Sequence, residues 1–151
     1  MLDDLSSLDR SLPYRLHRLG RLLRYNLHRF LADTGAAITP EQWFVLFALR
    51  GQDGLAQNEL TDPTLDDRPN MTRLIGTLES EGLVSRQTDP HDGRRRLVRL
   101  TASGEALIDR VLVHAEAERQ RMFAGLSPEQ IDALDHAARI IERNLRDLPA
   151  A

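Results

Sequence analysis

The chain has 151 residues, of which 41% are hydrophobic and 28% charged, a composition typical of a globular domain with a sizeable core. No apolar run approaches the roughly 18 residues that a membrane-spanning helix needs, and the absence of cysteine excludes disulfides, zinc–thiolate sites and thiol catalysis. With a net charge of −3, any surface that attracts nucleic acid must be local.

The first predicted helix covers about residues 10–32. Six arginines and no acidic residue between Arg10 and Ala32 resemble a transit peptide. Three preceding aspartates, and the lack of a cleavage-like region, favour a structural helix instead. Its apolar residues fall on one stripe at helical spacing, which we expect to be packed: Leu12, Leu16, Leu19, Leu23, Leu27 and Phe30.

The next helix begins at a capping box. Thr39 is the predicted N-cap, Pro40 occupies the first helical position, and Gln42 reaches back to the cap. The segment from Trp43 to Leu49 is apolar nearly all round, so we expect burial on several sides, with Trp43 and Phe47 in the core.

Two further helices follow a turn at residues 51–54. A short one, Gln57 to Asp62, is predicted to end before Pro63, because the residue preceding a proline avoids the α-helical region. The second begins at Asp67 and runs to about Glu81, where Gly82 ends it.

After Gly82 the pattern changes to two short strands, Leu83–Thr88 and Arg95–Leu100, joined by turn-forming residues. Thr101 is then expected to cap a long helix over about 102–123. Ser127 begins a last helix by a second capping box. The apolar stripe of that helix is Ile131, Leu134, Ala138, Ile141 and Leu145. The fold class is therefore mainly α with a small β-hairpin.

The helix from Asp67 to Ser80 has two different faces. Its apolar stripe is Met71, Leu74, Ile75 and Leu78. Its other face carries small or hydrogen-bonding groups and one cation: Pro69, Thr72, Arg73, Gly76, Thr77 and Ser80. Small groups allow close approach to a major groove, and an arginine can bind a guanine through two hydrogen bonds. On the helix alone, an ordinary solvated face remains the simpler interpretation.

The hairpin favours the DNA-binding interpretation. Residues 84–101 contain five arginines against two aspartates, in a chain that is acidic overall. A basic hairpin directly after such a helix can reach phosphates or the minor groove beside it. We expect Asp92 to pair with one of these arginines and hold the loop in shape.

Four segments resemble the MarR family of winged helix-turn-helix regulators: Thr39–Trp43, Asp67–Ile75, Leu78–Arg86 and Asp89–Gly104. The resemblance covers about residues 12–148. It implies a single domain over 1–151, with a winged-helix DNA-binding lobe at about 39–101. The helical dimerisation region would comprise about 10–32 and 102–148.

The function that the resemblance implies is that of a cytoplasmic homodimer, a ligand-responsive repressor that binds a pseudo-palindromic operator in double-stranded DNA. Carried over by position, Arg94 would enter the minor groove, and residues of the helix would contact base edges or phosphates. The expected DNA-binding residues are Pro69, Asn70, Thr72, Arg73, Gly76, Thr77, Arg94, Arg95 and Arg96. Many relatives carry bulkier groups at the positions of Gly76 and Thr77.

Many relatives also bind a small aromatic acid between the dimer helices and the lobe. The first helix has a face of rings and cations that suits such an effector: Tyr14, His17, Arg21, Tyr25 and His28. The alternative is a solvated face with half-buried tyrosines. His114 lies on the apolar stripe of the long helix with Leu107 and Val111, so we expect a core histidine rather than a ligand-binding one.

Enzymatic functions find no support, because the sequence has no glycine-rich phosphate loop, no HExxH motif and no nucleophile elbow. We expect no catalytic residue, no cofactor, no metal and no membrane partner. Two alternatives stay open: a winged-helix module that binds protein, and a metal sensor in which His17, His28 or His114 would converge.

Overall fold

The structure, a computed structural model, describes residues 11–61 and 68–147, apart from the side chain of Arg68. The helices, numbered within these ranges, are α1 (Leu12–Asp33), α2 (Pro40–Leu49), α3 (Gln57–Leu60), α4 (Arg68–Ser80), α5 (Ala102–Met122) and α6 (Pro128–Arg146). The strands are β1 (Leu55–Ala56), β2 (Val84–Thr88) and β3 (Arg96–Leu100). Within the described ranges, no helix combines the length and the hydrophobicity that crossing a membrane requires.

The predicted helix starts are confirmed by their hydrogen bonds. The Thr39 hydroxyl accepts the Gln42 N–H at 3.2 Å, and the Gln42 side chain accepts the Thr39 N–H at 2.8 Å. Ser127 and Gln130 form the same reciprocal pair at 3.3 and 2.9 Å. Side chains thus satisfy backbone groups that have no partner within the helix.

The hairpin is also confirmed, and it belongs to a larger sheet. β2 and β3 pair antiparallel from Val84 opposite Leu100 to Thr88 opposite Arg96. The sheet has three strands in the order β1-β3-β2, because Leu55 and Ala56 pair with the other edge of β3. Sequence analysis missed β1, since two residues are too short to show an alternating pattern.

The core lies inside the lobe. Its fully buried side chains come from the C-terminal end of α1, from α2, α4 and the sheet, and from the first half of α5: Leu31, Leu46, Leu49, Met71, Ile75, Leu78, Val84, Val98, Ile108 and Val111. The lobe therefore holds α4 and the hairpin on a single packed core.

The apolar stripe of α1 is mostly uncovered within the single chain, so its packing stays a prediction. Leu27 and Phe30 are half-buried and Leu31 is buried, but every residue from Leu12 to Asn26 is exposed. Helix α6 buries no residue. These two helices extend beyond the single lobe, which covers α1 only at its C-terminal end and buries no residue of α6.

Two predictions for single side chains are wrong. Trp43 is buried as expected, but Phe47 is 49% exposed, although its ring stacks on Trp43 with centroids 5.6 Å apart. Phe44 is exposed as well, but six of the ten residues of α2 are buried, as expected for a helix that packs on more than one side. His114 is exposed rather than in the core, because the buried part of α5 ends at Val111.

The end of α3 differs from its prediction, and the end of α4 agrees with it. The helix expected over Gln57–Asp62 ends at Leu60, where Thr61 becomes extended and its hydroxyl donates to the Gln57 carbonyl oxygen at 2.8 Å. Asp62, Pro63 and Asp67 lie outside the described residues. At the other end of α4, Gly82 has a φ of 71°, which is the left-handed conformation predicted for the residue that ends the helix.

Candidate nucleic-acid interface

Helix α4 presents the two faces that its sequence predicts. Met71, Leu74, Ile75 and Leu78 are all at most 8% exposed and join the core. On the other side Pro69, Thr72 and Arg73 are exposed, while Asn70, Gly76 and Thr77 are half-buried. The core therefore fixes the rotation of the helix about its axis, and this fixes which side chains face solvent.

Hydrogen bonds order the exposed side chains at the N-terminal end of α4. The Arg73 guanidinium donates to the Asn70 side-chain oxygen at 2.9 Å. The Gln57 amide, at the start of α3, donates to the Thr72 hydroxyl at 2.6 Å. The Thr77 hydroxyl, in contrast, donates to the Arg73 carbonyl oxygen of its own helix at 3.1 Å. Thr72 and Arg73 are thus held in defined positions, whereas Thr77 has its donor engaged.

The loop at the tip of the hairpin is ordered by its own aspartates. Asp89 accepts the His91 N–H at 2.8 Å, and Asp92 accepts the Arg94 N–H at 3.0 Å. Both contacts are local turns of the kind that aspartate favours. Asp92 therefore holds the loop in shape as predicted, but it does so through the Arg94 backbone and not through a guanidinium group.

Three of the five hairpin arginines form ion pairs with other parts of the lobe. Arg86 pairs with Glu79 of α4 at 2.6 Å, and Arg95 pairs with Glu59 of α3 at 2.6 Å. Arg99 pairs with Asp53 in the turn before β1. These contacts join the sheet to the helices around it, and they neutralise much of the basic charge counted in the sequence.

Arg94 and Arg96 differ from these three arginines. Both are exposed, and no carboxylate among the described residues pairs with either guanidinium group. The sequence predicted Arg94, Arg95 and Arg96 as one basic cluster. Within the described residues, the structure separates them into two cations without an ion-pair partner and one, Arg95, that pairs with Glu59.

The residues predicted for an effector lie along one helix and not around one cavity. Tyr14, His17, Arg21, Tyr25 and His28 are all exposed. At about 1.5 Å of rise per residue they span about 21 Å of α1, so one small aromatic acid cannot contact all five.

Several cavities lie beside α1. One of about 440 Å³ lies between α1, the start of α2 and α4, and Arg24 and Arg73 are on its wall. Another, of about 230 Å³, lies between α1 and α5, where Arg29 and the exposed His114 line it. A third, of about 430 Å³, lies at the C-terminal end of α1 and is lined by His28, the one predicted effector residue on a wall of these three cavities. Within 11–61 and 68–147 no group of three or more histidine or acidic side chains could hold a metal ion.

Sequence analysis did not identify two residues that link α4 and the hairpin through α3. They are Gln57, which contacts Thr72, and Glu59, which contacts Arg95. Both lie in the four-residue helix α3. Glu59 stands three residues after the N-cap Ala56, the position of a capping-box acid, but its partner Arg95 is remote in sequence and could not be inferred from spacing.

The arrangement of α3, α4 and a paired hairpin on one core is that of a winged helix-turn-helix protein. A model of the MarR family matches residues 38–95, which include α2, α4 and the tip of the hairpin. Over this region the chain is similar to the MarR family of transcriptional regulators. In that comparison α4 corresponds to the recognition helix of the family, and the β2–β3 hairpin, with its loop at residues 89–95, corresponds to its wing.

Individual relatives match most of the chain. The transcriptional regulator HosA of Escherichia coli O111:H- is 27% identical over 114 residues, which are 76% of this chain and 84% of HosA. A MarR-family transcriptional regulator from Silicibacter pomeroyi has 26% identity and a TM-score of 0.74, with 95% of each chain covered. MepR of Staphylococcus aureus, solved as a complex with DNA, shares the fold at 24% identity and a TM-score of 0.77, covering 91% of this chain and 98% of MepR.

Proposed function

We propose that the protein is a homodimeric, sequence-specific repressor that binds a pseudo-palindromic operator in duplex DNA in the cytoplasm. One observation carries the proposal: the lobe exposes ordered side chains on its recognition helix and, on the wing beside it, two arginines that have no ion-pair partner among the described residues. The complex of MepR with DNA, a protein of the same fold, supports this assignment. A dimer that covers an operator would exclude other proteins from the same DNA, which supports repression over activation.

The recognition helix is the part that reads bases. Arg73 is exposed at the N-terminal end of α4, where a helix lying in the major groove meets base edges. Its guanidinium group can donate two hydrogen bonds to guanine, and Thr72 can contact a thymine methyl group or a phosphate. Because Asn70 and Gln57 already order these side chains, less conformational entropy is lost on binding.

The wing contributes affinity that depends little on sequence. Arg94 and Arg96 are exposed and unpaired within the described part of the chain, so phosphates can bind them without first displacing a carboxylate. Arginine is also attracted to the negative potential of a narrow minor groove. A protein-binding module would not require Arg94 and Arg96 to be exposed beside a helix face of small side chains.

The uncovered helices support the homodimer. Helix α1 exposes leucines along its N-terminal half, and α6 exposes Leu134, Ile141 and Leu145. Exposed apolar stripes of this extent mark an interaction surface. A second copy of the chain is the natural partner, because the same two stripes on each copy can cover each other around a two-fold axis. Two lobes would then address two half-sites.

Response to a small aromatic acid stays a prediction. The face of α1 that carries Tyr14, His17, Arg21, Tyr25 and His28 lies on a helix whose exposed stripe we assign to the dimer. A ligand bound there would contact two or three of these side chains and the partner protomer. It would lower operator affinity if it favoured a dimer whose lobe spacing does not match DNA.

Substitution of Arg73 and of Arg94 by alanine should have different effects. Arg73→Ala should cost about 1–3 kcal/mol on the selected operator and relax the preference at one base position in each half-site, with little effect on random duplex. Arg94→Ala should weaken binding to every duplex. It should reduce the slope of log K against log salt by about 0.9 for each lost phosphate contact.

Both variants are measured by fluorescence anisotropy on the selected and the random duplex across a salt series. Arg110→Ala, which removes an exposed arginine of α5, is the matched control and should change neither quantity. If Arg73→Ala and Arg94→Ala lose affinity equally on both duplexes, then Arg73 does not read a base.

Gly76→Ala separates stability from DNA binding. A Cβ at Gly76 meets no atom within 4 Å, and alanine is the better helix former, so the free energy of unfolding should rise by about 0.5–1 kcal/mol. A methyl group on the groove-facing side should weaken operator binding by about 1–3 kcal/mol. Thermal unfolding and anisotropy measure the two effects. A stabilised variant that binds the operator as tightly as the wild type would show that Gly76 does not approach DNA.

A further inference from the structure

Helix α3, only four residues long, contacts both of the elements assigned to DNA. Through Gln57 it reaches Thr72 of the recognition helix, with 2.6 Å between the amide nitrogen and the hydroxyl oxygen. Through Glu59 it reaches Arg95 of the wing, with 2.6 Å between the carboxylate oxygen and the guanidinium nitrogen. Gln57 and Glu59 thus help to set the position of the wing relative to the recognition helix.

The Glu59 side chain is held in place by a backbone hydrogen bond that does not depend on its contact with the wing. The same carboxylate oxygen that faces Arg95 also accepts the backbone N–H of Ala56 at 2.6 Å. This backbone hydrogen bond, followed by the contact with Arg95, lowers the pKa of Glu59, so the side chain stays ionised at neutral pH. Since Glu59 is already held in one position, the ion pair restricts only one flexible side chain, and its entropic cost is smaller.

Arg95 is held at its backbone as well. Its N–H donates to the Asp92 carbonyl oxygen, and its carbonyl oxygen accepts the Asp89 N–H, both at 2.9 Å. These two hydrogen bonds close the loop at the tip of the wing. Arg95 is therefore fixed in the backbone of the loop and at its guanidinium group, whereas its exposed neighbours Arg94 and Arg96 have no carboxylate partner within the described residues.

We propose that Glu59 is a positioning residue that holds Arg95 against the helix-turn-helix and withholds it from the DNA phosphates. The inference rests on the proposed function, because it concerns the same wing. Its consequence is for specificity. Each arginine that binds phosphate adds affinity for all sequences alike, so an arginine that is withheld keeps binding to random DNA weak relative to the operator.

The variant Glu59→Gln tests the proposal. Glutamine can still accept the Ala56 N–H, so the start of α3 is kept while the charge that holds Arg95 is lost. Released Arg95 should bind phosphate, and the salt slope on a random-sequence duplex should steepen by about one unit for each wing. At low salt the affinity for random duplex should rise several-fold, and the ratio of operator to random affinity should fall.

Two controls separate the release of Arg95 from the loss of a negative charge near DNA. Glu81→Gln removes the same charge from an exposed residue just after α4 that has no ion pair within the described chain. Arg95→Gln removes the arginine that is to be released. We expect Glu81→Gln to leave the salt slope unchanged, and Glu59→Gln to have no further effect in the Arg95→Gln background. Circular dichroism and thermal unfolding check that each variant folds.

Each outcome decides the matter. A steeper slope that disappears in the Arg95→Gln background supports the proposal. An effect that equals that of Glu81→Gln, or that persists without Arg95, overturns it, and so does an unchanged slope. If the wild-type protein binds no duplex at all, both the proposed function and this inference are wrong. If the wild-type protein binds duplex and Glu59→Gln has the same salt slope as the wild type, only this inference is wrong.

Discussion

Leu134→Glu combined with Ile141→Glu should convert the protein into monomers and reduce its affinity for a two-half-site duplex by roughly 10²- to 10⁴-fold. The two side chains are 45% and 36% exposed in the single chain and lie on one stripe of α6. In a dimer each carboxylate would be buried against apolar surface, at a high cost in desolvation. Without the dimer, the second lobe loses the high effective concentration that the first binding event provides.

Sedimentation velocity at micromolar concentration measures the first effect, and anisotropy on the selected duplex measures the second. The matched control is His136→Glu combined with Arg143→Gln, which changes the net charge equally on the opposite, exposed face of α6. It should remain dimeric. A double variant that stays dimeric, or a control that dissociates to the same extent, would show that the stripe of α6 is not the interface.

Gly104→Ala should destabilise the lobe by about 1–3 kcal/mol. Gly104 lies in the first turn of α5, where an added Cβ would stand 2.2 Å from the Leu83 carbonyl oxygen and 3.1 Å from a Leu100 methyl group. The nearest atom belongs to the backbone, and it also accepts the Thr101 N–H at 3.1 Å. Relief of the clash must therefore separate α5 from the hairpin.

Chemical denaturation measures this loss, with Gly76→Ala as the control for replacing a helical glycine by alanine. The two substitutions should change the free energy of unfolding in opposite directions, because only one of the two sites has open space for a methyl group. Equal effects, or an unchanged stability of Gly104→Ala, would contradict the close packing of α5 on Leu83 and Leu100 at the base of the hairpin.

Local chemistry explains which parts of the fold could be predicted from the sequence. The capping boxes at Thr39 and Ser127, the glycine at 82 and the apolar stripe of α4 each depend on residues within a few positions of one another. Such signals are present in the sequence whatever the rest of the chain does. The hairpin followed from the same kind of local evidence, a cluster of turn formers between two short strands.

The errors have a different origin. Strand β1 exists because its two residues meet an edge of β3 more than 40 residues away, and it has no local pattern of its own. The exposure of Phe47 and His114 depends on where the lobe ends, which spacing along a helix does not show. The stripe of α1 was correctly identified as apolar. The single chain leaves most of that stripe uncovered, because it extends beyond the lobe.

The candidate interface likewise has features that could be predicted from the sequence and features that could not. Composition predicted a basic wing and a slim helix face, and these residues are exposed or half-buried as that interface requires. Composition could not show that Glu79, Glu59 and Asp53 pair with three of the five arginines, since each pair joins different elements of the fold. The charge that remains for DNA on each wing is therefore smaller than the sequence suggests.

The most direct test of the account is to select bound sequences from a library of random duplexes with the purified full-length chain. We expect enrichment of an inverted repeat whose two half-sites are separated by about one turn of DNA, and protection of the wing-facing flanks beside each half-site. Enrichment of a single, non-repeated site would contradict the dimer, and no enrichment over the starting library would contradict sequence-specific DNA binding itself.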